Sequence, residues 1–345
     1  MKKTSLNDIA TSLNVSKALV SFVLNGHGDE KGISSETQKR VLNKARELNY
    51  KPNQIARGLR LGKSHTIGLI VADISNKFYA KIAKQVEIVA SRHNYNLIFC
   101  SSGEDMEKEI ELIEMLRERQ VDGLIISTTQ KDASVFTRLK REKFPFVLID
   151  RSIPRLSSNF VGVDNFSGAF RATEHLLENG YQKIALLKIS PSYLSTIKER
   201  EQGYREALKK TGLRINGKLI RTIDCFDIRN QVRESLRELI QPPYSINALF
   251  SVNNNITIHC MEYLNEMNIR IPQDMAIVSF DDIDLFRLSY PTITAVAQPV
   301  EKIGEIAVNI LLDEINGEGA DTKHVTLPVK LIERRSCGIF TNHTE

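Results

Sequence analysis

Over the first fifty positions, apolar residues recur at the three- and four-residue spacing of short amphipathic helices. Leu6, Ile9, Ala10 and Leu13 share one face of a segment that Ser5 can cap, and Asp8 stands where a capping box wants an acid. After a break at Asn14-Val15, Ser16 can cap a second helix through Leu24, with Val20, Val23 and Leu24 turned inward. A loop with Gly26, Gly28 and Gly32 leads to Ser34, the expected cap of a third helix on which Val41, Leu42, Ala45 and Leu48 repeat. Pro52 marks a linker, and Asn53 to Leu61 reads as one more short helix. From Ile67 the pattern changes. Apolar runs at Ile67–Ala72, Asn96–Cys100, Gly123–Ser127, Phe146–Ile149, Phe160–Val163, Ile184–Lys188, Leu219–Ile223, Ala248–Val252 and Ala276–Phe280 alternate with amphipathic segments of helical length. That alternation is the signature of parallel sheets with crossover helices on both faces. About nine strands suit two doubly wound subdomains better than one large sheet.

Charge adds to this picture. Residues 1–63 hold 12 Lys+Arg against 5 Asp+Glu, whereas the other 282 residues hold 35 against 37. A basic head on a near-neutral body suits a polyanionic partner. Three short helices with a tight break near residue 14 fit a helix-turn-helix, and on spacing alone they fit a generic three-helix bundle equally.

The apolar fraction of 41% and charged fraction of 26% are those of an ordinary globular protein. No apolar run is long enough to span a membrane, and the basic N-terminus has no signal-like apolar stretch behind it, so a cytoplasmic location is expected. Cys100, Cys225, Cys260 and Cys337 lie far apart without a C-x-x-C pair, which reads as reduced thiols and not a metal or redox site. The G-x-G of the Gly26–Gly32 loop follows a helix and is a poor dinucleotide fingerprint. There is no G-x-S-x-G, P-loop or H-E-x-x-H, and His259-Cys260 are helix neighbours that point apart. No catalytic site, metal or cofactor is therefore expected.

Specific residues carry more. Asn7-Asp8-Ile9-Ala10, Val15-Ser16, Val20-Ser21 and Val23-Leu24-Asn25, followed by Asn49-Tyr50-Lys51-Pro52-Asn53 and Ala56-Arg57-Gly58-Leu59-Arg60, resemble the head of the LacI/GalR family of transcriptional regulators. The resemblance implies a second helix lying in the major groove, with Ser16, Lys17, Ala18, Ser21, Phe22 and Asn25 as its contact residues. It also implies a hinge helix in the minor groove, where Leu59 wedges into a base step among Asn53, Ala56, Arg57 and Arg60. The head departs from the family in places. The family usually carries arginine where this chain has Phe22 and often threonine where it has Leu19; the Gly26–Gly32 loop is slightly longer than the family's connection and is assigned no role. Phe22 offers only apolar contact, so the expected half-site differs from the family's usual one; alternatively, Phe22 packs inside the head.

Farther along, Asp73-Ile74-Ser75-Asn76-Lys77-Phe78-Tyr79, Val163-Asp164-Asn165, Arg200-Glu201-Gln202-Gly203-Tyr204 and Ser279-Phe280-Asp281-Asp282-Ile283 are similar to the family's effector domain. The implied body is an α/β periplasmic-binding-protein-like fold of two doubly wound parallel-sheet subdomains, behind an all-α helix-turn-helix head. Expected bounds are 1–50 for the head, 51–64 for the hinge and 65–340 for the sensor. Its first subdomain takes about 65–163 and 296–326, and its second about 164–295 and 327–340. Three crossings are expected, near Val163, Thr294–Gln298 and Thr326–Pro328.

By family position, Arg200 and Asp281 are polar anchors of an effector cleft and Asn253 a further hydrogen bonder. Phe78 and Tyr79 form one wall, Phe226 the other, and Asp150 lies at a strand end. Sugar hydroxyls need paired donors and acceptors, and aromatic faces suit the apolar side of a pyranose. Arg200 could instead sit on a helix surface, and Asp281 and Asp282 could merely cap a helix. Expected partners are a double-stranded DNA operator, a carbohydrate-like effector and a second copy of the chain. A short tail after the last strand, taken as Val325–Arg335, favours a dimer over a tail-linked tetramer. A transport receptor is the main rival reading, and the basic head argues against it.

Overall fold

The computed structural model describes residues 4–50, 63–319 and 321–338. The chain divides into two compact units, Met1–Ser64 and His65–Glu345.

The first unit holds α1 (Leu6–Leu13), α2 (Lys17–Leu24) and α3 (Ser35–Glu47). The Ser5 hydroxyl accepts from the Asp8 amide while the Asp8 carboxylate accepts from the Ser5 amide, so two otherwise orphaned donors are satisfied together. Asn14, with φ 54°, ends α1 in the left-handed conformation that asparagine tolerates better than most residues. The chain turns there, and Ser16 caps α2 by accepting from the Leu19 amide at 3.1 Å. Ile9, Val20 and Val41, one from each helix, are fully buried against one another with Ala10, Val23 and Ala45. Leu42 is exposed, unlike the inward position expected for it. It lies one residue, about 100° of helix, beyond the Val41–Ala45–Leu48 stripe that packs inward.

The second unit contains two six-stranded sheets. The first comprises β1 (Thr66–Val71), β2 (Asn96–Ser101), β3 (Gly123–Ile126), β4 (Phe146–Ile149), β5 (Phe160–Val163) and β11 (His324–Leu327), in the order β11-β5-β4-β3-β1-β2 and all parallel. The second comprises β6 (Ile184–Ile189), β7 (Ile220–Ile223), β8 (Ala248–Ser251), β9 (Ala276–Phe280), β10 (Thr294–Ala297) and β12 (Lys330–Ile332), in the order β12-β10-β9-β8-β6-β7. Only β12 runs antiparallel to its neighbour, β10. The crossover helices are α4 (Lys77–Arg92), α5 (Met106–Glu118), α6 (Ser134–Arg141), α7 (Asn165–Glu178), α8 (Ser195–Lys210), α9 (Ile228–Ile240) and α10 (Asn254–Glu266); α11 (Asp284–Leu288) and α12 (Val300–Asn316) follow β9 and β10. β3, β4, β5, β8 and β9 are buried along their whole length, as central parallel strands covered on both faces must be.

The chain passes between the lobes after Val163, between Ala297 and Val300, and between Leu327 and Lys330. The segment expected as one strand, Val325–Arg335, is two. Pro328 lacks the amide a ladder needs, and the chain leaves one sheet and joins the other across Pro328-Val329. In each sheet the order reverses beside the first strand, which opens a crevice at the carboxyl ends of the strands.

Candidate functional site

Two surfaces bear on function. On the head, Ser16, Lys17 and Ala18 are exposed along the first turn of α2, and Phe22 is 38% exposed one turn on, so its ring does not pack inside the head. Ser21 and Asn25 are half-buried and tied together: the Asn25 amide donates to the Ser21 carbonyl at 2.6 Å and to its hydroxyl at 3.3 Å. The expected hinge residues Asn53, Ala56, Arg57, Leu59 and Arg60 lie outside the described residues.

The second surface is a cleft of about 420 Å³ between the two lobes of the body. Phe78, Tyr79, Glu104, Asp150 and Arg151 line it from the first lobe, and Thr196, Arg200, Phe226, Asn253, Asn255 and Asp281 from the second. The two aspartates occupy matching places. Asp150 follows β4 and Asp281 follows β9, equivalent strands of the two sheets, and both are left-handed, with φ 63° and 69°. Such strain in a non-glycine residue is uncommon, clusters at functional sites, and here aims a carboxylate into the crevice at the end of a buried strand.

Each carboxylate is held from behind. The Tyr79 hydroxyl donates to Asp150 Oδ2 at 2.9 Å and accepts from the Ser127 hydroxyl at 3.1 Å. Burial drives the Tyr79 pKa well above its ordinary value, so the phenol stays a donor. Asp150 Oδ1 is buried without a hydrogen-bond partner. Asp281 Oδ1 accepts from the Gln298 amide at 2.6 Å. Burial raises the Asp281 pKa to about 6, against the opposing pull of the Arg200 guanidinium and Gln298.

Arg200 is buried, not on a helix surface. Its Nε donates to Asn165 Oδ1 at 2.8 Å and its Nη1 to the Val252 carbonyl at 2.6 Å, and its guanidinium stacks 3.7 Å from the Phe280 ring centroid. One helical turn on, Gly203 makes this placement possible. A Cβ there would sit 2.4 Å from the Phe166 carbonyl oxygen, so only glycine lets α7 and α8 approach this closely. Asn253 caps α10 by accepting from the Ile256 amide at 2.9 Å. Neither aspartate of the Asp281-Asp282 pair caps α11; Asp282 takes a bidentate pair from Arg334, both bonds 2.8 Å. Phe226 stands 76% exposed at the rim.

Several residues of the cleft and its supports escaped the sequence reading. Arg151 makes a bidentate pair with Glu104, both bonds 2.6 Å, and Glu109 lies fully buried behind it, accepting from the Thr128 hydroxyl and the Thr129 amide at 2.6 Å each. Arg151 directly follows Asp150 at a strand end, which was the one available signal. Contacts also cross the cleft: the Asn254 amide donates to Asn76 Oδ1 at 2.9 Å, the Tyr193 hydroxyl to the Thr129 carbonyl at 2.7 Å, and the Ser152 amide to the Ser195 hydroxyl at 3.0 Å. No helix among the described residues is long and apolar enough to cross a membrane, and none of their His, Cys, Asp and Glu side chains group to hold a metal.

A helix-turn-helix and a two-lobed ligand-binding body in one chain define a ligand-responsive DNA-binding regulator. Comparison with known proteins gives the family. Residues 5–53 match the family of bacterial regulatory proteins, lacI family, and residues 173–337 match the periplasmic binding protein-like domain. The chain is 32% identical to the ribose operon repressor of Halalkalibacterium halodurans, covering 96% of this chain and 97% of that one. A LacI family transcriptional regulator from Enterococcus faecium, solved with bound ribose, is 27% identical with a TM-score of 0.71, covering 79% of this chain and 98% of that one. The lac repressor dimer bound to operator and anti-inducer shares the fold, with a TM-score of 0.83 at 24% identity over 98% of this chain and 100% of that one. The protein belongs to the lacI family of bacterial transcriptional regulators.

Proposed function

We propose that this protein is a cytoplasmic transcriptional repressor that binds a pseudo-palindromic operator as a homodimer and takes a sugar or sugar-like effector in the cleft. The observation that carries the effector reading is Asp150 Oδ1, a buried carboxylate oxygen in the cleft with no donor. Burying such a group without a partner is costly, and a ligand hydroxyl supplies the missing donor. Asp281 accepts on the opposite lobe, Arg200 and Asn253 donate, and the Phe78 and Phe226 rings suit the apolar face of a sugar. A ribose operon repressor among the relatives, ribose in the Enterococcus faecium regulator and cellobiose in a CelR complex favour a sugar.

For DNA, Ser16, Lys17, Ala18 and Phe22 supply the contact face of α2, with Ser21 and Asn25 fixing its C-terminal half and Leu59 with its hinge neighbours serving the minor groove. For the dimer, the second lobe exposes Leu285, Leu288 (82%) and Tyr290 (95%) within six successive residues, an apolar stretch suited to a second copy. Titration calorimetry of the full chain against a panel of neutral pentoses and hexoses tests the effector reading. The expected result is one saturable ligand per chain, weakened about tenfold to a hundredfold by Asp150→Ala or Arg200→Ala. Binding that survives both substitutions would place the ligand elsewhere.

A further inference from the structure

Phe22, where the family resemblance leads one to expect arginine, and the glycine-rich loop after α2 meet in space. Lys31, from that loop, holds its ammonium 5.4 Å from the centroid of the Phe22 ring. We propose that Lys31, seated on Phe22, is a base-reading residue of this repressor and contacts a guanine in each half-site of the operator. This rests on the DNA-binding reading of α2 above.

Three observations support it. First, the loop is folded, so the position of Lys31 is set before DNA arrives. The His27 amide donates to the Phe22 carbonyl at 2.9 Å and the Lys31 amide to the His27 carbonyl at 3.2 Å. Gln38 then clamps the loop from α3, donating to Asp29 Oδ1 and to the Ile33 carbonyl at 2.8 Å each. Gly28 is buried against that side chain, where a Cβ would meet it at 2.4 Å. Second, the acids nearest in sequence are engaged elsewhere: Glu30 pairs with His27 at 3.0 Å, and Asp29 takes the Gln38 amide. Among the described residues no carboxylate pairs with the Lys31 ammonium, which leaves it available to an acceptor. Third, Phe22 and Lys31 are both exposed.

The chemistry follows from those placements. An aromatic face attracts a cation through its quadrupole and, unlike a carboxylate, leaves the ammonium's donors unspent. A lysine presented beside the recognition helix can donate to O6 and N7 of guanine in the major groove. Phe22 thus does two things. Its ring edge is free to meet an apolar group such as a thymine methyl, and its face positions the cation that an arginine at its own site would otherwise have supplied.

Site selection from a random duplex pool, run in parallel with the wild type, Lys31→Met and Phe22→Leu, tests the proposal. The wild type is expected to enrich a two-fold symmetric site with a guanine in each half. Lys31→Met should lose the preference at that guanine alone and bind the selected site roughly tenfold to a hundredfold more weakly. Phe22→Leu should relax the same position, and adding Lys31→Met to it should cost little more, because the lysine is already unseated. If Lys31→Met instead weakens all sequences equally, with the salt slope falling by about one and the base preference intact, the lysine is a phosphate contact and the proposal is overturned. If the wild type enriches nothing, the DNA-binding reading itself has failed, a different result from a lost preference in one variant.

Discussion

Buried acids set the pH behaviour of the body residue by residue. Glu109 is fully buried, and burial raises its pKa from 4.5 to about 7 despite the hydrogen bonds from Thr128 and Thr129. Its folded-state pKa lies above the unfolded one, so its contribution to stability is complete below about pH 4.5 and is lost as pH rises through 7. Glutamine can keep both hydrogen bonds, its oxygen accepting from the Thr129 amide and its nitrogen donating to the Thr128 hydroxyl. Glu109→Gln should therefore gain on the wild type by up to about 3 kcal/mol between pH 5 and 8 in melts followed by circular dichroism. Parallel curves would contradict this account of Glu109. Asp281 titrates at about 6 in the cleft itself. An effector hydroxyl donating to its carboxylate binds more weakly as pH falls below 6, by at most about tenfold per pH unit. Asp281→Asn should flatten that profile in calorimetry repeated from pH 5 to 8.

Helices and strands were legible wherever local patterning decides them. Ser5, Ser16 and Ser34 cap the three head helices, and all nine apolar runs became strands. Leu42 misled because an apolar residue beside a packed stripe looks the same in sequence whether it points in or out. The Val325–Arg335 strand breaks at Pro328, inside the crossing expected near Thr326–Pro328, but nothing local says which strands its halves join; β11 pairs with β5, more than 160 positions back. The cleft was legible only in part for the same reason. Arg200, Asp281 and Phe78 sit in recognisable motifs, whereas Glu104 and Arg151 pair across 47 positions and leave no periodic mark. At this scale Gly203 is the sharpest test, since it joins packing to site. Gly203→Ala forces α7 from α8, and overpacking of this kind costs about 1–3 kcal/mol. Lowered thermal stability together with weakened effector binding is expected, because Arg200 moves with α8. A drop in stability with unchanged affinity would separate the glycine from the cleft.

Across the whole body, the two lobes are joined by three chain crossings and by a small set of polar contacts. The bonds Asn254–Asn76, Tyr193–Thr129 and Ser152–Ser195 link the lobes in this arrangement, and a hinge opening at the crossings would have to break them. Asn254→Ala removes one of them and should shift the population toward an open body, read as a larger radius of gyration in solution scattering without effector and a smaller one with it. Any ligand that favours one state changes DNA affinity by the factor by which DNA changes its own affinity. That coupling presupposes a specific DNA site. Selection of bound sequences from a random duplex pool by the purified full-length protein, at low salt with and without the sugar panel, tests this most directly. The account predicts enrichment of a single two-fold symmetric site with a flexible pyrimidine–purine step at its centre. Failure to enrich any sequence under either condition, or enrichment of sites lacking two-fold symmetry, would contradict it.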